Sequence, residues 1–288
     1  ENWSFRQELL LFSITNGGAA ANQLIDLPLR FESPCWAENE THHSIRVVCQ
    51  SNTDNLELES QLYNLVFSDQ THLIACNLVF LIPPETDGAE HYYVYYDDAE
   101  TPSPGYPDRV SIEESSYFYE PIPGYPLESS YYKITQEGTI RYVIAQEGQF
   151  LWYSTSQAVT KLIQGSTEVL PKNGEAMASF EFAYYYGDEM WQYSSTSQKI
   201  LTKEILSDGN LMVCCRLLSG STTGDLRTTA VYRYYYCPTS SERMTVHVVH
   251  EALKDCQVYA EANTDGLYAS MQCGGIRSAS IPDLNFGE

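Results

Sequence analysis

Apolar and polar positions along this chain fall in short runs, most of them without the three- and four-residue spacing of a helix. The run His91–Tyr96 shows the pattern, because as a strand it places Tyr92, Val94 and Tyr96 on one face and the alternate positions on the other. The runs end in glycine, proline, asparagine or aspartate, residues that turns favour. The sequence therefore predicts an all-β fold of antiparallel strands, arranged as a β-sandwich or jelly roll.

The predicted strands are the runs that these turn residues separate. They cover residues 4–12, 24–31, 44–49, 56–67, 72–82, 91–96, 131–135, 139–145, 150–153, 177–186, 199–205, 211–217, 226–236, 243–250, 256–262 and 267–273. Two alternatives stay open. The leucines of Leu56–Phe67 also approximate a helical face, and Ser156–Ile163 could form a short helix.

Proline density changes between residues 99 and 126. Six of the 13 prolines lie there, and the text Pro-Gly-Tyr-Pro occurs twice. Proline removes donors from a strand ladder and favours extended, turn-rich chain. We therefore predict two β domains in tandem, residues 1–98 and 127–288, joined by a proline-rich connector at 99–126. A long ordered loop that crosses a single sandwich is the alternative.

A partial repeat lies in the second half of the chain. Phe150–Ile163 and Trp191–Ile205 share the order aromatic, hydroxyl run, glutamine and Thr-Lys. Two copies are fewer than a solenoid needs, so we interpret them as two related strand-to-loop corners. Aromatic residues in and near the copies are candidates for contact with a partner, with core packing and sugar binding as alternatives. These candidates are Trp152, Tyr153, Trp191, Tyr193 and Tyr234.

The charge of the chain excludes one class of partner. The 16 basic and 38 acidic groups give 16 − 38 = −22, and a field of that sign repels phosphate backbones. We expect no nucleic-acid partner. The longest apolar stretch, His72–Ile82, is too short to span a bilayer, so we expect no membrane insertion.

No residue pattern predicts a catalytic centre. His247 and His250 lie three residues apart in a predicted strand and so point to opposite faces, which argues against a metal site. Acidic residues in predicted loops, such as Asp97, Asp98 and Asp265, leave bound calcium open. We expect no other cofactor.

The cysteines and the chain start favour an extracellular or cell-surface location. Eight cysteines without a C-x-x-C pair predict disulfides of undetermined pairing, with buried thiols as the alternative. They are Cys35, Cys49, Cys76, Cys214, Cys215, Cys237, Cys256 and Cys273. The chain begins without an initiator methionine or a leader, like a mature secreted product. Asn2 and Asn39 lie in glycosylation sequons.

Two stretches carry a resemblance to known families. Trp3, Arg6, Ile25–Leu29 and Glu90–Tyr96 resemble the jelly-roll modules of secreted microbial surface proteins and carbohydrate-active enzymes. The ending Ser278–Gly287 is similar to the large β-sandwich domains of some polysaccharide lyases. This resemblance implies a β fold and an extracellular protein, and it transfers no site residue.

An acidic, aromatic, strand-rich chain without catalytic spacing favours one function over the others. We expect a secreted, non-catalytic β-sandwich protein that forms or decorates an extracellular or cell-surface assembly through Tyr/Trp-rich faces and strand edges. Its partners would be further copies or other surface proteins. The alternative is a carbohydrate-active enzyme or carbohydrate-binding module, and a virion surface protein is a third possibility.

Overall fold

The computed structural model describes most of the N-terminal half of the chain and separate parts of the remainder. The described residues are 3–9, 22–51, 55–82, 91–122, 125–144, 149–150, 153–154, 159–164, 167–168, 178–185, 192–193, 198–221, 224–239, 243–255, 257–258, 269–273 and 276–277. None of them is helical, so the described part of the chain contains no helix that could cross a membrane. The fold is all-β with antiparallel pairing, as the sequence predicts.

Strands are numbered here in chain order. The first seven are β1 (Phe5–Leu9), β2 (Leu24–Trp36), β3 (Arg46–Gln50), β4 (Asn55–Leu58), β5 (Ser60–Phe67), β6 (His72–Leu81) and β7 (His91–Tyr96). The others are β8 (Val110–Ile122), β9 (Tyr125–Gln136), β10 (Thr139–Ile144), β11 (Gln149–Phe150), β12 (Tyr153–Ser154), β13 (Val159–Gln164), β14 (Thr167–Glu168), β15 (Ala178–Tyr185), β16 (Gln192–Tyr193), β17 (Gln198–Asp208), β18 (Met212–Ser221), β19 (Leu226–Tyr235), β20 (Arg243–Ala252), β21 (Gln257–Val258), β22 (Ala269–Cys273) and β23 (Ile276–Arg277).

The chain folds into two compact units. Unit 1 comprises Glu1–Ser111, Ser207–Val213 and Tyr234–Arg243, and unit 2 comprises Ile112–Leu206, Cys214–Arg233 and Met244–Glu288. Strand β8 runs through the second half of the segment that the sequence predicts as a connector. The tandem boundaries at 98 and 126 stay a prediction.

Unit 1 contains a β-sandwich. One sheet has the order β1-β7-β3-β4 and the other β2-β6-β5, and the described registers are antiparallel. Alternate residues of these strands point inward, because the side-chain period of a strand is two. The inward residues of both sheets form one core with three residues that adjoin the strands, Ala37, Ile45 and Ile82. The strand residues of this core are Leu9, Leu29, Cys35, Val47, Cys49, Leu58, Leu62, Leu73, Cys76, Leu78, Phe80, Tyr92, Val94 and Tyr96.

Strand β5 is buried on both faces where it begins. Ser60–Tyr63 are four consecutive buried residues, whereas a strand with one wet face would alternate. The amide of Gln61 explains this burial, because it binds the chain that follows β17. Its Oε1 accepts the N–H groups of Leu211 (2.9 Å) and Met212 (2.7 Å), and its Nε2 donates to the Met212 carbonyl (2.8 Å).

The turn at Gly209 fits closely over this amide. A Cβ atom added to Gly209 would collide with Cδ and Nε2 of Gln61, so a side chain there would push the amide away from its hydrogen-bond partners. Nearby, Tyr63 and Tyr235 both donate to Oδ2 of Asp26, at 2.8 Å and 2.7 Å. These bonds hold Leu211, Met212 and Tyr235 against the second sheet of unit 1.

Unit 2 contains a ten-stranded sheet with the path β23-β22-β15-β13-β10-β9-β8, to which β14, β16 and β21 are attached. It also contains most of the sheet β17-β18-β19-β20. Lys203 of β17 links the two: its Nζ lies 2.8 Å from Oε1 of Glu114, contacts Ser130 Oγ and lies 5.2 Å from the Tyr132 ring centroid. Cys214 and Cys215 are both buried, so β18 is covered on both faces.

Several local predictions can be compared with these elements. The predicted turn Glu137-Gly138 joins β9 to β10 with φ values of +49° and +76°, the left-handed region that tight hairpins require. The short helix predicted as an alternative at Ser156–Ile163 is wrong, because Val159–Gln164 is strand β13, paired with β10 and β14. Leu56–Phe67 is extended, as two strands rather than one, so its helical alternative is also wrong.

Replacing Gln61 by alanine is expected to lower the free energy of unfolding by about 2–4 kcal/mol, because it leaves the buried N–H groups of Leu211 and Met212 without an acceptor. Gly209→Ala should also destabilise the protein, through the clash with Gln61. The double variant should lose less than the sum of the two, since removing Gln61 makes room for the added methyl group.

Urea unfolding of the four proteins measures this cycle. The exposed Gln23 supplies the control, since Gln23→Ala should change the free energy by no more than about 0.5 kcal/mol. Additive effects of Gln61→Ala and Gly209→Ala would contradict the proposed contact.

Candidate functional site

Strand β7 presents a row of rings on the outside of the sandwich. Tyr92, Val94 and Tyr96 are buried, and the alternate residues His91, Tyr93 and Tyr95 face outward, as the sequence predicts. Residues two apart on a strand share a face, so the three outer rings follow one another along the strand. The ring centroids of His91 and Tyr93 are 6.3 Å apart, as are those of Tyr93 and Tyr95. We call this surface the outer face.

Strand β1 adds charged groups beside these rings. Its register places Arg6 opposite Tyr95 and Glu8 opposite Tyr93. The Arg6 guanidinium lies 4.7 Å from the Tyr93 ring centroid, the geometry of a cation–π contact. A hydrogen bond with Tyr95 raises the pKa of Arg6. Glu8 Oε1 lies 3.0 Å from Nδ1 of His91. Each outward ring therefore has a charged neighbour.

Arg46 of β3 anchors the other side of the outer face. It is almost fully buried opposite Tyr95, and its Nη1 donates to the carbonyls of His43 (3.2 Å) and Ile45 (2.7 Å). Its Nε lies 3.4 Å from Oε1 of Glu57. This arginine is held on several sides, so its position is fixed before any partner binds.

Two further aromatic residues border Arg46 and Glu57. The ring centroid of Trp3 lies 5.6 Å from the Arg46 guanidinium carbon, and the Tyr106 hydroxyl donates to Glu57 at 2.8 Å. Arg46 Nη2 also donates to the carbonyl of Pro102. The proline-rich residues 101–109 are therefore fastened along this edge of unit 1.

His43 lies beneath this cluster as a neutral imidazole. Burial lowers its pKa to about 3, assisted by the positive charge of Arg46. Its Nδ1 accepts the N–H of Ile45 at 3.2 Å. A ring that is 1% exposed and neutral at ordinary pH supports the strand geometry around Arg46.

The contact candidates from the repeat have different positions. Trp152 and Trp191 lie outside the described residues. Tyr153 and Tyr193 belong to the two-residue strands β12 and β16, so both copies of the repeat begin in a short strand and continue into a longer one, β13 or β17. Tyr234 is fully buried, and its ring therefore packs in a core.

The cysteines with described side chains are mostly interior. Cys35, Cys49, Cys76, Cys214 and Cys215 are buried and Cys237 is half-buried. Burial raises the pKa of Cys35 to about 12 and raises the pKa values of Cys76 and Cys215 as well. Cys273 lies in β22, and Cys256 lies outside the described residues. The disulfides stay a prediction.

The sequons and the cation candidates are placed in part. Asn39 is exposed in a turn, where its Oδ1 accepts the Thr41 N–H at 2.9 Å, whereas Asn2 lies outside the described residues. Asp97 accepts hydrogen bonds from Ser4. Among the described residues, no three His, Cys, Asp or Glu side chains are placed to hold a metal ion. Asp265 lies outside that set.

His247 and His250 diverge along β20. His247 is exposed, and the half-buried His250 lies 2.9 Å from the Thr228 hydroxyl through its Nδ1. Burial lowers the pKa of His250 to about 4. The sequence predicts this divergence, because residues three apart on a strand point to opposite faces.

The position of Arg6 and Arg46 beside the rings of β7 was not predicted from the sequence. Their alternation with Phe5, Leu9 and Val47 places them on an outer face, and that signal was present in the sequence. Their position beside Tyr93 and Tyr95 depends on strand pairing across some 50 to 90 residues, which the sequence does not show.

Comparison with known proteins adds no relative. The chain matches no protein-family model, no curated protein and no solved structure. The resemblance to jelly-roll modules therefore stays an expectation, and the function is argued from the outer face alone.

The free energy of unfolding is expected to fall as pH drops from about 6.5 toward 3, with a contribution from His43. Its folded pKa of about 3 lies below the unfolded value, so the unfolded chain binds a proton that the native state excludes. His43→Asn keeps an acceptor for the Ile45 N–H and removes the titration. Its curve of stability against pH should be shallower than that of the native protein by up to about 1.4 kcal/mol per pH unit in this range. Chemical denaturation at several pH values measures both curves, and parallel curves would contradict the role given to His43.

Proposed function

We propose that this protein is a non-catalytic β-sandwich protein that forms or decorates an extracellular or cell-surface assembly, and that the outer face of unit 1 is one of its contact faces. The observation that carries the proposal is the row His91, Tyr93 and Tyr95 with Arg6 beside it. Tyrosine, tryptophan and arginine are the residues that most often anchor protein interfaces.

The outer face is ordered by its own contacts. Tyr93 is held by Arg6, Arg46 by backbone carbonyls and Glu57, and Tyr106 by Glu57. Side chains that are already fixed lose less conformational entropy when a partner binds. A ready-made surface of rings and charges therefore suits contact with another protein.

The local charge of the outer face favours self-association there more than the net charge of the chain does elsewhere. Arg6 and Arg46 offset Glu8 and Glu57 on the outer face, whereas the whole chain carries −22. Two copies repel each other through their general acidity, but a charge-balanced patch lacks that local repulsion. At moderate salt, where the Debye length is about 8 Å, the distant charges are screened and such a patch can associate.

Arg6→Ala and Tyr93→Ala are expected to weaken self-association about tenfold or more, because each removes an anchor of the outer face. Sedimentation velocity over a wide range of protein concentrations measures the effect. Arg30→Ala is the matched control, since Arg30 is also an exposed arginine of unit 1 but lies on β2, in the other sheet. A native protein that stays monomeric at high concentration, with and without calcium, would overturn the proposal, as would equal effects of Arg6→Ala and Arg30→Ala.

Carbohydrate binding, by a module or an enzyme, is the second candidate, favoured by the successive rings 6.3 Å apart on one sheet face. Flat rings with polar edges suit sugar faces. The Arg6 guanidinium over Tyr93 argues against it, because it occupies a ring face that a sugar would stack on.

A panel of polysaccharides tests this candidate, with tryptophan fluorescence reporting binding and product release reporting catalysis. If the outer face binds sugar, Tyr93→Ala and Tyr95→Ala should abolish the fluorescence change while far-UV circular dichroism stays native. Absence of both signals across the panel would eliminate carbohydrate binding as a function of this face.

A further inference from the structure

The sheet β17-β18-β19-β20 ends in two strands of similar length. β17 has 11 residues and β20 has 10, and among the described strands β20 pairs with β19 alone. An edge strand presents a row of backbone N–H and C=O groups that another chain can pair with. Natural proteins usually block such edges with lysine, proline or an inward-pointing charge.

The two edges differ in this respect. β17 carries Lys199 and Glu204, and Lys203 points inward to Glu114 at 2.8 Å, so this edge has the blocking devices. Residues 244–250 of β20 read Met-Thr-Val-His-Val-Val-His, without lysine, proline, aspartate or glutamate. β-Branched residues are frequent in this run, and Val249 is 48% exposed. Within the part of the chain that the structure describes, the middle of β20 therefore lacks the blocking charges that β17 carries.

We propose that β20 is a self-pairing edge, which joins the β20 strand of a second copy in antiparallel fashion about a two-fold axis at His247. This register pairs Thr245 with Val249 and Val246 with Val248. Directly opposed residues share a face, and the pairs agree: Thr245, His247 and Val249 are exposed, and Val246 and Val248 are half-buried.

The ends of the strand support the same register. It places Glu251 of each copy opposite position 243, which is an arginine in the sequence. Opposite charges directly across a strand pair are favourable. Glu251 is exposed and lies 3.6 Å from Arg227 of its own chain. A one-residue shift would oppose exposed positions to half-buried ones, which disfavours it.

The resulting dimer has two four-stranded sheets joined into one of eight strands. The contact is isologous, so it closes at two copies and does not propagate. The β20 edge and the outer face of unit 1 consist of different residues. The β20 pairing can therefore be correct even if the proposed function is wrong. Variants at the two surfaces separate the two contacts.

Hydrogen exchange at two protein concentrations tests the pairing directly. At about 150 mM salt, where distant charges are screened, amide exchange within residues 244–250 should slow as the concentration rises through the dimer range. Exchange in β17 should not depend on concentration. Exchange in β20 that is equal at all concentrations, with a monomer by sedimentation, would overturn the proposal.

Matched charge variants on the two edges identify the strand that pairs. His247→Glu places two negative charges opposite each other at the two-fold axis and is expected to raise the dimer dissociation constant about fivefold, which corresponds to about 1 kcal/mol. Thr202→Glu adds the same charge at an exposed position of β17 and should leave the constant unchanged. Native thermal melting of both variants excludes unfolding as the cause.

The test of the β20 pairing can be told apart from a negative result for self-association through the outer face. Arg6→Ala should not change the exchange of residues 244–250. If Thr202→Glu weakens association as much as His247→Glu, or if open polymers form in place of a dimer, the β20 pairing proposed here is wrong.

Discussion

One buried side-chain amide, that of Gln61, decides how unit 1 is closed. A three-stranded sheet with a single covered face would leave Val79 and Tyr63 in water, yet both are buried. The amide oxygen accepts hydrogen bonds from the N–H groups of Leu211 and Met212, and the amide nitrogen donates one to the Met212 carbonyl. These partners lie about 150 residues further along the chain. Buried backbone groups need such partners, so the position of the turn after β17 follows from this one residue. A side chain at Gly209 would displace this amide from its hydrogen bonds.

The few cations of this acidic chain serve mainly as local links. Arg46, Arg109, Lys133, Lys203, Arg216 and Arg227 each lie against a glutamate. Exposed pairs of this kind contribute little free energy, but Arg109 and Lys203 are largely covered and join elements that are distant in sequence. Positive charge is therefore used to hold strands together, and the outer face of unit 1 combines its arginines with rings and carboxylates in the same way.

The sequence predicted most of what depends on local pattern. The span of β7, the hairpin at Glu137-Gly138 and the divergence of His247 and His250 follow from the strand period and turn chemistry. The strand at Val159–Gln164 was mistaken for a possible helix, because a short apolar run fits both periods and only pairing with β10 decides. The outer face shows the same limit: its rings could be predicted from β7 alone, whereas Arg6 reaches them through a register that spans the first 96 residues.

The two proposed contacts would contribute differently to an assembly. A strand edge is used up once it is paired, so a two-fold β20 contact fixes the orientation of two copies and then stops. The outer face belongs to another sheet, in unit 1, so its contact uses a different set of residues from the β20 edge. Long-range repulsion between chains of charge −22 opposes both contacts, and salt weakens that repulsion by screening. The stronger of the two contacts therefore forms at the lower salt concentration, and the weaker one needs further screening of the charge.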